Sequence, residues 1–109
     1  MTEREARLAK NETLFRGVNE KVREVRGDTA GADSLIEFIC ECGRGDCVEE
    51  VQLTLVEYER VRSEPEYFLV KPGHELLDIE FVSERNDRFL VVRKQEEEAQ
   101  IARETDPRG

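Results

Sequence analysis

Three cysteines occur within one short run, Cys40-Glu41-Cys42-Gly43-Arg44-Gly45-Asp46-Cys47, and the chain has no others. This C-x-C-x4-C cluster constrains the fold more than any other feature of the sequence. The glycines inside it let the backbone turn tightly enough to aim several thiols at one point. A disulfide framework accounts for it poorly. The count is odd, and Cys40 and Cys42 are too close in sequence for an unstrained bridge. A Cys42–Cys47 bridge is sterically open but leaves Cys40 unpaired. A metal accounts for it better. Zinc takes four ligands in a tetrahedron, and three cysteines with one histidine form an accepted structural set. The one histidine, His74, follows Pro72-Gly73 and so sits in a turn. Cys40, Cys42, Cys47 and His74 are the predicted ligands of one structural zinc. If His74 is not the fourth ligand, Asp46 or a water takes that position, and a water there reopens catalysis.

Such a staple matters because the core is thin. The 109 residues are 38% hydrophobic and 39% charged. That length suits one domain with a modest interior, and a bound metal would add directly to its folding free energy. The net charge is -9, and it is uneven. Residues 1–26 hold seven basic and five acidic side chains, a net of +2, which leaves -11 for the remainder. A body of that sign repels phosphate, so a general nucleic-acid binder is excluded. The acidic surface and the N-terminal segment are the two faces offered to a protein partner. The same charge pattern also fits a helix packed on its own acidic body. No apolar run approaches the ~18 residues of a membrane span, and Met1-Thr2-Glu3-Arg4-Glu5 opens on charge with no apolar stretch behind it. A cytoplasmic protein is the expectation.

The periodicities predict an α+β fold. Residues 1–26 read as an amphipathic helix, with Leu8, Phe15, Val18, Val22 and Val25 on one stripe and Asn11 at its remaining position. A polar residue there is a way to fix register in a helix pair. The stripe must be covered by the domain's own sheet or by a second chain; the sheet, and hence a monomer rather than a homodimer, is expected. Residues 27–33 form a small, glycine-bearing linker. The body spans 34–104. Ser34–Cys40 and Val48–Leu53 read as a hairpin around the cysteine loop. Thr54 and Glu57 form a capping box for a short helix from Leu55 to about Ser63, with Leu55, Tyr58 and Val61 inward and Pro65 beyond its end. Tyr67–Val70 is a third strand. Ile79–Arg85 and Arg88–Lys94 form a second hairpin around Asn86-Asp87, whose predicted two-residue turn sets Glu80 opposite Arg93 as an exposed pair. Gln95–Glu104 forms a short C-terminal helix, and residues 105–109 fray. The predicted architecture is thus a small antiparallel sheet with an N-terminal, a middle and a C-terminal helix, stapled by zinc.

From Phe38 to about Lys94 the chain carries Cys40-Glu41-Cys42-Gly43 with Cys47, Leu53-Thr54 with Glu57-Tyr58, and Val61-Arg62. It continues with Phe68 and Val70, Pro72-Gly73-His74-Glu75, and Val91-Val92 with Lys94. Weaker pieces lie at Asn11-Glu12 with Leu14-Phe15 and at Glu104-Thr105-Asp106-Pro107. Together these residues resemble a family of short bacterial proteins of unknown function. The resemblance implies that Cys40, Cys42, Cys47 and His74 act as one set, and it implies no substrate.

Three function classes follow. The first is a non-enzymatic interaction or regulatory module held by a structural Cys3His zinc site. The second is a thiol redox sensor using Cys40, Cys42 and Cys47, with Arg44 beside them to lower a thiol pKa. The third is a small metalloenzyme with an open zinc position, for which Glu41, Asp46 and Glu75 are the nearby candidate bases. No nucleophile motif and no phosphate-binding glycine loop is present. Arg44-Gly45-Asp46 spells an adhesion tripeptide, which we read as turn composition.

Overall fold

The computed structural model describes residues 2–27, 29, 31, 33–76 and 80–108, with the backbone alone at 96–98. Asp28, Ala30 and Ala32 of the expected linker, the expected strand start at Ile79 and the side chains of Glu96–Glu98 lie outside the described residues. The elements run α1 (Glu3–Arg26), β1 (Ile36–Ile39), β2 (Glu50–Leu53), α2 (Leu55–Arg62), β3 (Tyr67–Val70), β4 (Glu80–Arg85), β5 (Leu90–Lys94) and α3 (Glu96–Glu104). This is the α+β fold that the periodicities predict. Its strands form two small antiparallel sheets, β1-β2 and β3-β5-β4. No described helix is long and apolar enough to cross a membrane.

Local signals set the helix ends. Thr2 accepts from the Glu5 amide at 3.1 Å to start α1. Thr54 accepts from the Glu57 amide at 3.2 Å while Glu57 accepts from the Thr54 amide at 2.8 Å, the capping box that starts α2. Tyr58 and Val61 of α2 are buried as expected, and Leu55 packs at the edge of the same core. Tyr58 stacks on Phe38 with ring centroids 4.2 Å apart. The thiols of Cys40 and Cys42 belong to a second cluster with Phe68, Val70, Leu90 and Val92.

Several expectations fail, and the two largest failures have physical causes. In the second hairpin Glu80 pairs with Lys94, Phe81 with Arg93 and Val82 with Val92, not the register predicted around a two-residue turn. The loop is longer. Asn86 donates its amide to the Phe89 carbonyl, and its side-chain oxygen accepts from the amides of Arg88 and Phe89. No residue but glycine has a positive φ among the described residues, so this loop does not use the left-handed conformation that the shorter turn demands. A bulge between Val82 and Glu84 then shifts the register by one. Glu80 is consequently buried rather than exposed.

The second failure concerns the inner face of α1. Glu12, Arg16 and Asn19 are its buried residues, whereas Val18 and Val25 of the predicted stripe are 40% and 71% exposed. Leu8, Phe15 and Val22 are half-buried. Burial of these polar groups is possible because each has partners. Lys94 is held between the carboxylates of Glu12 and Glu80. Arg16 donates to the carbonyls of Pro65 and Ala102 at 2.7 and 3.0 Å, and its guanidinium lies 4.9 Å from the Phe68 ring centroid. Asn11 does not set the register of a helix pair; it donates to the Gly43 carbonyl at 2.8 Å. Residues 105–108, expected to fray, contact α1 and α2 instead. Thr105 meets Arg16, and Arg108 meets Glu20 and Glu59.

The buried triad makes stability depend on pH. Burial raises the Glu12 carboxyl from 4.5 to about 7, against the opposing pull of Lys94. Between those values the folded chain holds a proton that the unfolded chain has released. Stability is therefore expected to fall as pH rises from about 4.5 to about 7, by on the order of 3 kcal/mol, and to level off above that window. Glu12→Gln, which resembles the protonated acid, should flatten this slope. Denaturant melts of both proteins across the window check it, and an equal slope in the variant would contradict it.

Candidate metal centre

The cysteine loop is built from the end of β1 outward. Cys40 donates its amide to the Glu49 carbonyl at 2.9 Å, which extends the β1-β2 ladder by one bond. Glu41 donates its amide to the Leu69 carbonyl at 2.8 Å and so joins this hairpin to β3. In an extended segment successive side chains alternate. Cys40 and Cys42 therefore share one side, and Glu41 takes the other. There its carboxylate, fully buried, meets Arg62 at 2.7 and 3.0 Å, Asn19 at 2.8 Å and the Leu69 amide at 3.1 Å. The residue between two thiols thus anchors the loop to α1, α2 and β3 at once.

Gly43 turns the chain at φ +83°. A Cβ there would lie 3.0 Å from Glu12 Cγ and 3.1 Å from the Leu8 carbonyl oxygen. Only glycine satisfies both the backbone angle and the close approach of α1. Cys47 closes the loop by donating its amide to the Arg44 carbonyl at 3.1 Å. The histidine arrives on a separate turn. His74 donates its amide to the Lys71 carbonyl at 2.9 Å across Pro72-Gly73, with Gly73 at φ +96°. The Glu75 carboxylate fastens the same turn by accepting from the Gly73 amide at 2.8 Å.

These segments bring Cys40, Cys42, Cys47 and His74 into one group, with a ligand atom of each within 4.8 Å of the others. His74 Nδ1 is 3.6 Å from both Cys40 Sγ and Cys47 Sγ. Zinc–sulfur and zinc–nitrogen bonds of about 2.3 and 2.0–2.1 Å at a tetrahedral angle give a sulfur–nitrogen edge of about 3.6 Å. The four groups are therefore close enough to bind a metal ion, and the donor set fits zinc. Cys40 and Cys42 are buried, while Cys47 and His74 are half-buried. The Lys71 amide donates to Cys40 Sγ at 3.2 Å.

The thiols perturb one another. Cys42 is pushed down to about 4, first by its hydrogen bond with Cys40, with help from the Arg44 amide and His74. That same bond, together with burial, pushes Cys40 up. Burial also raises Cys47. The hydrogen bonds among the thiols thus favour one thiolate shared within the coupled set. A bound cation would draw the remaining protons off the set, since only thiolates ligate.

The candidate bases are dispersed. Glu41 is committed to Arg62, Glu75 to the Gly73 amide and, at 3.8 Å, to Arg85, and Asp46 is exposed beside Arg44 on the outer loop. The spacing of the cysteines, with the one histidine, picks out the four residues that the structure brings together. It does not reveal the polar network behind that group, formed by Glu12, Arg16, Asn19, Glu41, Arg62, Glu80 and Lys94. One signal was available: Glu12, Arg16 and Asn19 recur at the four- and three-residue spacing of a helix face.

Gly43→Ala should destabilise the chain by about 1–3 kcal/mol, because a non-glycine residue is strained at positive φ and must also displace α1. Gly73→Ala has the strain without the crowding, since nothing lies within 4 Å of its would-be Cβ, and should cost less. Thermal melts of the two variants compare them directly; equal losses would remove the packing argument.

No protein-family model matches this chain, and no curated protein or solved structure matches it significantly.

Proposed function

We propose that this protein is a zinc-stapled interaction module: a small acidic domain whose Cys40, Cys42, Cys47 and His74 hold one structural zinc and whose surface serves a protein partner. The observation that carries the reading is the 3.6 Å separation of His74 Nδ1 from two of the three thiols, contributed by distant turns of the chain. Four protein donors complete a tetrahedron and leave no open position for substrate, which is the arrangement of structural zinc and not of catalytic zinc. The commitment of Glu41 and Glu75 to other partners also favours a non-enzymatic role. The acidic body, at -11 over residues 27–109, disfavours nucleic acid as the partner and favours a basic protein surface.

Elemental analysis of untagged, reduced protein tests the reading. It is expected to give about one zinc per chain, with all three thiols protected from a titrating reagent until the metal is removed. Metal-free protein with three freely titrating thiols would favour the redox-sensor reading instead.

A further inference from the structure

Leu14, Val18 and Val25 stand on α1 at 61%, 40% and 71% exposure, although the sequence leads one to expect the last two to be covered. Beside them a groove of about 350 Å³ runs between α1 and the β1-β2 hairpin. Val18, Val22 and Val25 give it an apolar floor, and Glu37 and Glu50 line its hairpin side. Glu37 pairs with Gln52, and Glu50 with Ile39, so the two glutamates are diagonal neighbours on one face of the hairpin. They are close enough for Glu37 to raise the carboxyl of Glu50. Among the described residues neither glutamate forms an ion pair. Lys21 and Arg26 line the α1 side, Lys21 engaged by Glu24 at 3.4 Å. The groove therefore combines exposed apolar surface with a hairpin side that carries two adjacent like charges.

We propose that this groove docks an amphipathic helix of a protein partner, with the partner's apolar ridge on Val18, Val22 and Val25 and its lysine or arginine side chains on Glu37 and Glu50. The proposal deepens the interaction-module reading and rests on it. Charge selects the occupant. A cation placed between Glu37 and Glu50 relieves their repulsion, and the acidic body around them draws such a segment in. A second copy of this chain brings another net charge of -9 and so the wrong sign. Helices dock in grooves of this kind through anchors at i, i+4 and i+7 spacing. Val18, Val22 and Val25 supply the same spacing on the receiving side.

The test uses full-length protein of verified metal content and a fluorescent helical peptide of about 18 residues, with leucines at i, i+4, i+7 and i+11 flanked by lysines. A control peptide carries glutamate in place of lysine. The lysine peptide is expected to bind at least ~tenfold tighter than the control, and less tightly as salt is raised. It should shift the backbone NMR signals of Val18, Val25, Glu37 and Glu50. Glu37→Gln with Glu50→Gln should weaken binding by about tenfold, and Val25→Asp should abolish it, while Glu104→Gln on a distant surface leaves it unchanged. Equal affinity for both peptides, shifts confined to other residues, or a concentration-dependent dimer that Val25→Asp abolishes would each overturn the proposal. The two readings fail separately. Zinc-loaded protein that ignores the lysine peptide retains its staple and loses this docking site. Metal-free protein that binds the peptide at these residues keeps the docking site and loses the staple.

Discussion

Cys40→Ser is expected to abolish stoichiometric zinc binding and to unfold the body of the protein at room temperature. Only 38% of the residues are hydrophobic, and a small domain of this kind has only about 5–15 kcal/mol of net stability. Structural zinc contributes on the order of 10 kcal/mol or more where folding and binding are coupled. Losing the metal therefore removes an amount comparable to the whole. Cys40 is the most consequential of the four positions. It is buried, it lies 3.6 Å from His74, and it accepts the Lys71 amide at the root of the histidine turn. Wild-type protein stripped by a chelator should behave in the same way and recover on adding zinc. Far-UV circular dichroism with metal analysis reads both. An unchanged melting temperature in protein confirmed to be free of metal would show that the site does not stabilise the fold.

Arg62→Met should be the most damaging substitution outside the ligand set, at about 3–5 kcal/mol. It leaves the fully buried Glu41 carboxylate without its counter-charge. It also removes the donor that reaches the Tyr67 carbonyl at 3.0 Å. The pair is mutually reinforced: burial alone would lower the Arg62 guanidinium, but Glu41 outweighs it and holds the group above its ordinary value. Replacing both members, Glu41→Met with Arg62→Met, should cost less than the sum of the single changes. Some loss remains, because the Leu69 amide loses its Glu41 acceptor and Asn19 loses one of its two acceptors. A double-mutant cycle by denaturant melts measures the coupling. Zinc affinity should fall as well in Arg62→Met, since Glu41 sets the backbone between Cys40 and Cys42. Unaltered affinity would mean that the loop is held by its own turns alone.

The grouping of the three cysteines with His74 and most elements were legible because their signals are local. Cysteine spacing, the Pro72-Gly73 turn before His74 and the Thr54/Glu57 capping box each depend on residues a few positions apart. The inner face of α1 was not legible, because charge at helical spacing ordinarily marks the solvent side. Glu12, Arg16 and Asn19 are buried only because Lys94, Glu80, Glu41 and carbonyls from distant segments complete them, and no local window contains those partners. The β4-β5 register failed for a related reason. Asn86-Asp87 suggested a short turn, whereas the loop is closed by the Asn86 side chain and the strand carries a bulge beyond it. Polar residues whose side chains replace backbone hydrogen bonds are the common element in these misses.

Asn19 is such a residue, and its position bears on how copies of this protein behave toward one another. It accepts from the Ile39 amide at 2.8 Å and donates to the Ile39 carbonyl at 2.9 Å. A helix side chain thus occupies a place where another strand would pair, and among the described residues β1 has only β2 as a strand neighbour. With the sequence Ile36-Glu37-Phe38-Ile39, an uncovered β1 would be a short apolar edge with free amides and carbonyls, the kind that recruits strands from neighbouring molecules. Loss of α1, by truncation or by proteolytic nicking near Arg26, would therefore do more than weaken the fold. It would expose a template for intermolecular β-pairing, and the first sign would be turbidity at concentrations where the intact chain stays clear.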